Sequence, residues 1–540
     1  MNTDLVYLKT NVVPEPLFAK WYAWPHLISP ATAAANIVGR HLKIITSYIM
    51  APQIHAAAVK LPQMLGGPFM DYESNRVEDI RGLKNETLAT QSKMIELAEA
   101  LNKLNKLLKA EAKGYSLEPL YEKVPEVLKG YVELVYDVNN QPSFRIFESL
   151  PYNSEFYDTS FQSISLYLID NDDRPFVLST PRLDEDHVLN LGIPFNSPAL
   201  DELFAMQRTP QSYAYIKNRL NIPESQEPLF RSFFTTEAPV VHKKYESGGI
   251  RTTYFGHACI LVETNEVSIL SDPVISYGYN SDISRYTYTD LPDVIDYVVI
   301  THNHQDHILL ETLLQIRHKV RNVIVPRNGA SGLQDPSVKL MMKALGFENV
   351  IELDEMETIK LPGCTITGLP FLGEHSDLDI RTKLCHLVKL EQFSVLFAAD
   401  SCNIEPKLYE HIHRAVGNVD ILFLGMECDG APLSWLYGPL LPEPLPKEKD
   451  HSRRLAGSNY ARGLDLVKRF NPKEVFVYAM GQEPWLNYIM SLKYTEDSNP
   501  IVASNKLIGY CAENGINAER LFGQKEIIYQ HEGAFQPELA

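Results

Sequence analysis

The stretch ITHNHQDHILLETL, residues 300–313, places His302, His304, Asp306 and His307 directly after the apolar run DYVVI. Few features of the 540-residue chain limit its fold as tightly. In extended backbone, residues two apart point to the same side, so His302 and His304 can grip one ion together. Asp306 and His307 open the helical stretch ILLETLLQI and can face a second ion beside the first. We read the cluster as a metal site at a strand-to-helix turn, because its spacing converges four ligand-type side chains on one spot.

The surrounding sequence supplies a scaffold for such a turn. From residue 250 onward short apolar strands recur, among them YFGHACILVET, EVSILSDP, NVIVP, CTITGLPF, HLVKL, SVLFAAD, VDILFLGME and EVFVYAMG. Helical stretches such as PSVKLMMKALG and YARGLDLVKRF alternate with some of them. Strand ends that deliver polar residues into loops mark an α/β fold with its site at the strand termini. Asp272, Asp400 and Glu427 stand at such ends. In FLGEHSDLD, Glu374 and His375 compete for one ligand position. His257, after Gly256, and His375 also suit a role orienting a ligand or a site water. The late strand NPKEVFVYAMG ends in Ala479 and Met480, which bring no imidazole or carboxylate to the strand end. His411 and His413, in YEHIHRAV, read as surface or packing residues.

Set against the ligand order of the metallo-β-lactamase superfold, whose signature HNHQDH resembles, the implied donor inventory is His302, His304 and Glu374 (or His375) on one ion, Asp306 and His307 on the other, and Asp400 between them. Three histidines and three carboxylates form an oxygen-rich set that suits redox-active iron better than the nitrogen-rich sets of zinc hydrolases. A zinc hydrolase, cleaving a lactone, phosphodiester or thioester with a metal-bound hydroxide, is the alternative and requires His375 as ligand.

The amino-terminal half carries no chemical motif. Leu97, Leu101, Leu104 and Leu108 make one apolar stripe, which predicts a helix over residues 87–112. YVELVYDV, NNQPS and FRIFESL predict a hairpin, and QSISLYLID and FVLST predict further strands. Periodicity is lost over residues 232–249, so the expected units are an α+β domain over 1–240 and a catalytic domain over 250–540.

Composition narrows the setting. The formal net charge of -18 disfavours a nucleic-acid partner, which needs a basic face. No stretch approaches the roughly 18 apolar residues of a membrane span, and the first residues lack a secretory pattern. The six cysteines form no C-x-x-C pair, which fits a reducing cytoplasm. One basic stretch, RRLAGSNYARGLDLVKR (453–469), interrupts the acidity.

HNHQDH resembles the signature of the metallo-β-lactamase superfold, an αββα sandwich with a two-metal site. Asp272 in VSILSDP, Asp400 in LFAAD and the late strand NPKEVFVYAMG follow that fold's order. With Glu374 gained and the last histidine absent, the chain resembles the CmlA-type non-haem diiron β-hydroxylases of nonribosomal peptide assembly, a group of antibiotic biosynthesis. The likeness spans the whole chain. It implies a diiron oxygenase with two oxo- or hydroxo-bridged iron ions, O2 as cosubstrate and an external electron donor. It implies Glu374 rather than His375 as ligand, and Glu427 as a carboxylate beside the cluster that changes its coordination when substrate arrives. The implied substrate is an amino acid held as a thioester on the phosphopantetheine arm of a peptidyl carrier domain. A reductase and a homodimer formed through the amino-terminal half are also implied. Because carrier domains are usually acidic, docking needs a local basic patch, for which Arg453, Arg454 and Arg462 are the candidates. Trp435 and Tyr437, in the Pro-rich and nominally irregular segment 431–450, are placed against the substrate side chain.

Overall fold

Strands of the carboxy-terminal half assemble into two sheets of seven in the computed structural model of the protein, which describes residues 4–329 and 332–530. In spatial order the first sheet runs Val350–Leu353, Val320–Pro326, Ile295–Val299, Ser268–Ser271, Cys259–Glu263, Ile250–Gly256 and Lys525–Tyr529. The second runs Thr358–Leu361, Cys364–Pro370, Leu384–Leu390, Phe393–Phe397, Ile421–Gly425, Glu474–Tyr478 and Asn517–Arg520. In each sheet one half is antiparallel and the other parallel, and the inner parallel strands such as Ile421–Gly425 and Glu474–Tyr478 are near-continuous apolar runs, as burial on both faces requires.

Strand alternation decides which side chains fill which layer. Phe397, Phe423 and Phe476 stand in register on three neighbouring parallel strands and stack at 5.4 and 5.2 Å between ring centroids. They face Tyr254, Ile260, Val299 and Ile324 of the first sheet across a closed core. The intervening residues Leu396, Leu422, Leu424 and Val475 point the other way, under the helices Pro406–Val416, Tyr460–Phe470 and Asn499–Glu513. The outer face of the first sheet, with Leu261, Leu270, Val298 and Val323, is covered by helices Leu310–Ile316 and Val338–Ala344 and by the amino-terminal half. The result is the expected αββα sandwich, preceded by an α+β unit whose apolar core is continuous with the sandwich's outer layer.

That unit holds a four-stranded antiparallel sheet (Trp21–Tyr22, Val12–Phe18, Gln162–Leu168, Leu189–Leu191), a three-stranded sheet, and the hairpin Val132–Tyr136/Pro142–Ile146. Three sequence expectations need correction. The long helix is two, Val77–Thr90 and Ser92–Glu111, broken at Gln91, although its leucine stripe is buried as expected. FVLST is no strand: Val177 N–H donates to Tyr488 O at 2.9 Å and Ser179 Oγ to Phe69 O at 2.7 Å, so these polar groups are satisfied by carbonyls distant in sequence rather than by a neighbouring strand. Segment 431–450 is not irregular throughout; it contains the short helices Leu433–Tyr437 and Lys447–Ser452 (which ends just beyond it).

Buried ion pairs join the halves. The Arg174 guanidinium bridges Glu15 and Glu311, each at 2.7 Å, with all three side chains at most 4% exposed. Its face stacks on Tyr488 at 3.6 Å. Glu311 lies on the helix that follows HNHQDH, so this network ties the amino-terminal sheet to the metal-site turn.

Candidate metal centre

The sequence-expected ligands converge at one edge of the sandwich. His257, Asp272 and His302 follow strands Ile250–Gly256, Ser268–Ser271 and Ile295–Val299 of the first sheet; Asp400 and Glu427 follow two neighbouring strands of the second, and Glu374 follows Cys364–Pro370. Several of these turns are forced into left-handed backbone at residues that carry a side chain: φ is 51° at His257, 34° at Asp272, 65° at Glu374 and 46° at Ala399. Such conformations cost free energy and cluster where function over-determines the backbone. Gly425 is required beside them, since a Cβ there would lie 2.2 Å from Asp400 Oδ1.

Three groups of ligand atoms form, each with its atoms within 4.8 Å of one another: His302–His304–Glu374, His302–His307–Asp400 and His257–Asp306–His307. His304 Nδ1 lies 2.7 Å from Glu374 Oε1, and His307 Nε2 lies 3.0 Å from Asp400 Oδ2. His302 Nε2 is 3.8 Å from both Glu374 Oε2 and Asp400 Oδ2. His302 Nε2 and Asp400 Oδ1 are buried without a hydrogen-bond partner, and Glu374 Oε2 makes no well-aligned hydrogen bond although the His375 ring stands beside it. Buried polar atoms are otherwise almost always paired, so unsatisfied atoms on three side chains of one cluster fit a cation that takes lone pairs there.

Supporting contacts fix the rings. Asp272 accepts from Thr301 N at 2.7 Å and lies 2.8 Å from His307 Nδ1, which turns His307 Nε2 inward. Gly481 N–H donates to His257 Nδ1 at 3.2 Å, so Nε2 carries the proton and reaches Asp306 Oδ2 at 3.1 Å. Tyr437 Oη meets His304 Nε2 at 2.9 Å. Partners of this kind set tautomer and ring angle in metal sites. His375 sits beside the groups: Nδ1 is 2.9 Å from Glu374 Oε2 and its ring packs 4.5 Å from that of His304. At the late strand, Ala479 N–H is spent on His257 O at 2.9 Å and Met480 points into the helix layer, so no donor stands there.

The electrostatics also call for a cation. Burial pushes the Asp400 carboxyl up, and the Glu374 and Asp306 carboxylates push it the same way. Burial, then Asp400, Asp306 and Glu374, drive Glu427 well above the usual carboxylate range. Burial would raise Glu374 too, but the imidazoles of His304, His375 and His302 hold it well below. Burial would lower His307, yet Asp306, Asp400 and Asp272 hold it well above an ordinary histidine.

The remaining expected residues lie around this centre. Trp435 donates its indole N–H to Gly66 O at 2.8 Å and lines a cavity of about 910 Å³ that adjoins the site without including its ligands. Arg462 and Arg453 turn inward, to Cys402 Sγ at 2.9 Å and Ser376 O at 2.8 Å, and Arg454 is exposed. Sequence reasoning did not assign the roles of Thr301 and Gly481 or the Tyr437–His304 contact; such contacts across the fold leave no local signal. Among the described residues no helix is long and apolar enough to cross a membrane.

Comparison with known proteins follows the geometry. Residues 7–239 match the model of the diiron non-heme beta-hydroxylase N-terminal domain, and residues 268–431 that of the beta-lactamase superfamily domain. The chain is 39% identical over 523 residues to the 4-amino-L-phenylalanyl-[CmlP-peptidyl-carrier-protein] 3-hydroxylase of Streptomyces venezuelae, covering 95% of this chain and 98% of that one. It superposes on the crystal structure of CmlA, a diiron beta-hydroxylase from Streptomyces venezuelae, with a TM-score of 0.91 at 38% identity, over 97% of this chain and 99% of that one. A metal-dependent hydrolase of Methanopyrus kandleri is 31% identical, but over only 28% of this chain and 62% of its own. Full-length likeness to the hydroxylase, against partial likeness to hydrolases, decides between the iron oxygenase and the zinc hydrolase. The chain belongs to the CmlA-type diiron β-hydroxylases, enzymes that join this amino-terminal domain to a metallo-β-lactamase fold and use two iron ions.

Proposed function

We propose that the protein hydroxylates the β-carbon of an amino acid held as a thioester on a peptidyl carrier domain, using O2 and two external electrons. The observation that carries this reading is the buried donor set with Glu374 in place of a third histidine and no donor at Ala479 or Met480. An oxygen-rich set of that kind favours iron. The relative's carrier-bound aminophenylalanyl substrate supports the choice of an aromatic amino acid.

In this assignment His302, His304 and Glu374 would hold one iron and Asp306 and His307 the other, with Asp400 a further carboxylate donor of the centre. Bound there, the iron pair supplies activation of O2 and attack on a C–H bond. The chain's own residues set the conditions. Asp272 keeps a proton on His307 Nδ1, so Nε2 stays free to bind. His257 steadies Asp306 through a donated hydrogen bond. Glu427, crowded by three carboxylates and driven toward its protonated form, is the carboxyl assigned to respond when substrate changes the local charge. Trp435 and Tyr437 bring an aromatic wall toward the centre from the segment beside the cavity. An electron-transfer reductase, a homodimer and a cytoplasmic setting complete the reading.

The test supplies reduced enzyme, 18O2 and a phenylalanyl carrier, and weighs the carrier by mass spectrometry. One 18O atom on the aminoacyl group, with its hydrogen lost from the β-carbon, is expected. Hydrolysis of the thioester with no oxygen incorporated would refute the reading.

A further inference from the structure

The cavity of about 910 Å³ lies between the amino-terminal helices and segment 432–451, and its volume is within the range of a specific small-molecule site. One wall is a π-helical turn, Ile37–His41, in which Val38, Gly39 and Arg40 all face the cavity. Single π turns are rare and recur at functional sites. Arg40 is 8% exposed and pairs with no carboxylate among the described residues. Its Nη2 donates to Trp435 O at 2.8 Å and Leu436 O at 2.9 Å, which leaves other N–H groups for a ligand. Asp450, the carboxylate on the lining, is committed to Ser434 N and Oγ, both at 2.7 Å.

The mouth is cationic in a protein of net charge -18. Lys43 and Lys106 are exposed, line the cavity, and have no ion-pair partner among the described residues. Between mouth and floor the lining mixes apolar side chains (Ile44, Leu101, Leu440) with amide and hydroxyl groups (Asn105, Ser434). Ser434 and Trp435 of the lining belong to helix Leu433–Tyr437, whose last residue touches His304, so the cavity borders the metal centre on that side. An occupant should therefore be extended and amphipathic, anionic at its outer end, amide-bearing along its length and reactive at its inner end.

We propose that this cavity receives the 4′-phosphopantetheine arm of the carrier. Its phosphate sits at Lys43 and Lys106, its amides lie along the mixed lining, and Arg40 and Trp435 flank its inner thioester end. The assignment rests on the carrier-bound substrate of the proposed function and adds where that substrate enters.

The experiment uses the whole protein and, as probe, L-phenylalanyl pantetheine 4′-phosphate without any carrier protein. Binding is read from Trp435 fluorescence, with the Trp435→Phe protein as the blank for that signal, and from calorimetry. Asn105 is half-buried on the lining, so Asn105→Trp fills the cavity from a helix surface. It should weaken binding about ten-fold or more, because the site loses the volume the arm needs. Lys43→Glu with Lys106→Glu should weaken the phosphorylated probe about ten-fold and leave the dephosphorylated probe unchanged, as a charge contact at the mouth requires. Wild-type protein that fails to bind the arm, or variants that bind both probes like wild type, would overturn the assignment. If such protein still hydroxylates a phenylalanyl carrier, the proposed function stands and the arm enters elsewhere; if it does not, both fail.

Discussion

Tyr437 Oη lies 2.9 Å from His304 Nε2, so the last residue of the short helix that carries Trp435 holds the outer nitrogen of a metal-site histidine whose inner nitrogen lies 2.7 Å from Glu374. The contact couples the segment facing the cavity to the geometry of the centre. Tyr437→Phe keeps the buried ring but removes the oxygen. Loss of such an orienting partner lowers metal affinity about ten-fold or more. Competition with an iron chelator should show this in Tyr437→Phe, together with a shifted absorption spectrum of the remaining iron. Unchanged affinity and spectrum would reduce Tyr437 to packing.

Glu374 and His375 are neighbours with different surroundings. Glu374 completes the His302–His304 group, while His375 lies against Glu374 with Nε2 unpartnered. Glu374→Ala should lose iron from that group, whereas His375→Ala should retain the wild-type iron content and change activity only through Glu374's orientation. Metal analysis of the purified variants distinguishes them. The opposite pattern would move the ligand to His375 and revive hydrolytic chemistry.

The Arg174 network predicts how firmly the two halves are joined. Arg174 holds Glu15 and Glu311 in a buried cluster, with Arg182 Nε a further 2.6 Å from Glu15. Removing one member of a buried ion pair leaves an uncompensated charge and costs about 3–5 kcal/mol. Arg174→Met should lower unfolding stability by that amount in urea titrations, and Arg174→Lys should recover only part of it, since an ammonium lacks the planar fork that meets both carboxylates and the flat face that stacks on Tyr488.

Glu148 gives a pH dependence with a definite sign. It is 8% exposed, accepts from Ser337 N and Ser29 Oγ, and joins the amino-terminal unit to the cap of helix Val338–Ala344. Burial pushes its carboxyl up to about 7, against the lowering effect of those two donors. A carboxyl raised on folding contributes stability that is full below its unfolded value near 4.5 and is lost as pH rises through about 7. Glu148→Gln should therefore stabilise the protein at pH above about 7, by up to about 3 kcal/mol. Below about pH 5 the two proteins should match. Thermal unfolding across that range checks the crossover.

Legibility in the sequence followed locality. HNHQDH was readable because the strand and turn that converge it are contiguous, and Asp400 and Glu427 because each follows an apolar strand. The strands of the sandwich showed as apolar runs because burial on both faces leaves little choice of residue. FVLST misled for the same reason: it is apolar and buried, but its hydrogen bonds go to loops distant in sequence. Gln91 breaks the long helix without a glycine or proline to announce it. Arg40 and the Tyr437–His304 contact were invisible, since their partners stand 395 and 133 residues away.

The most direct test is metal content together with the visible spectrum of protein purified in air. Two iron ions per chain with the absorption of an oxo-bridged ferric pair are expected, in keeping with a diiron family. Two zinc ions and colourless protein, after growth with ample iron, would contradict the account.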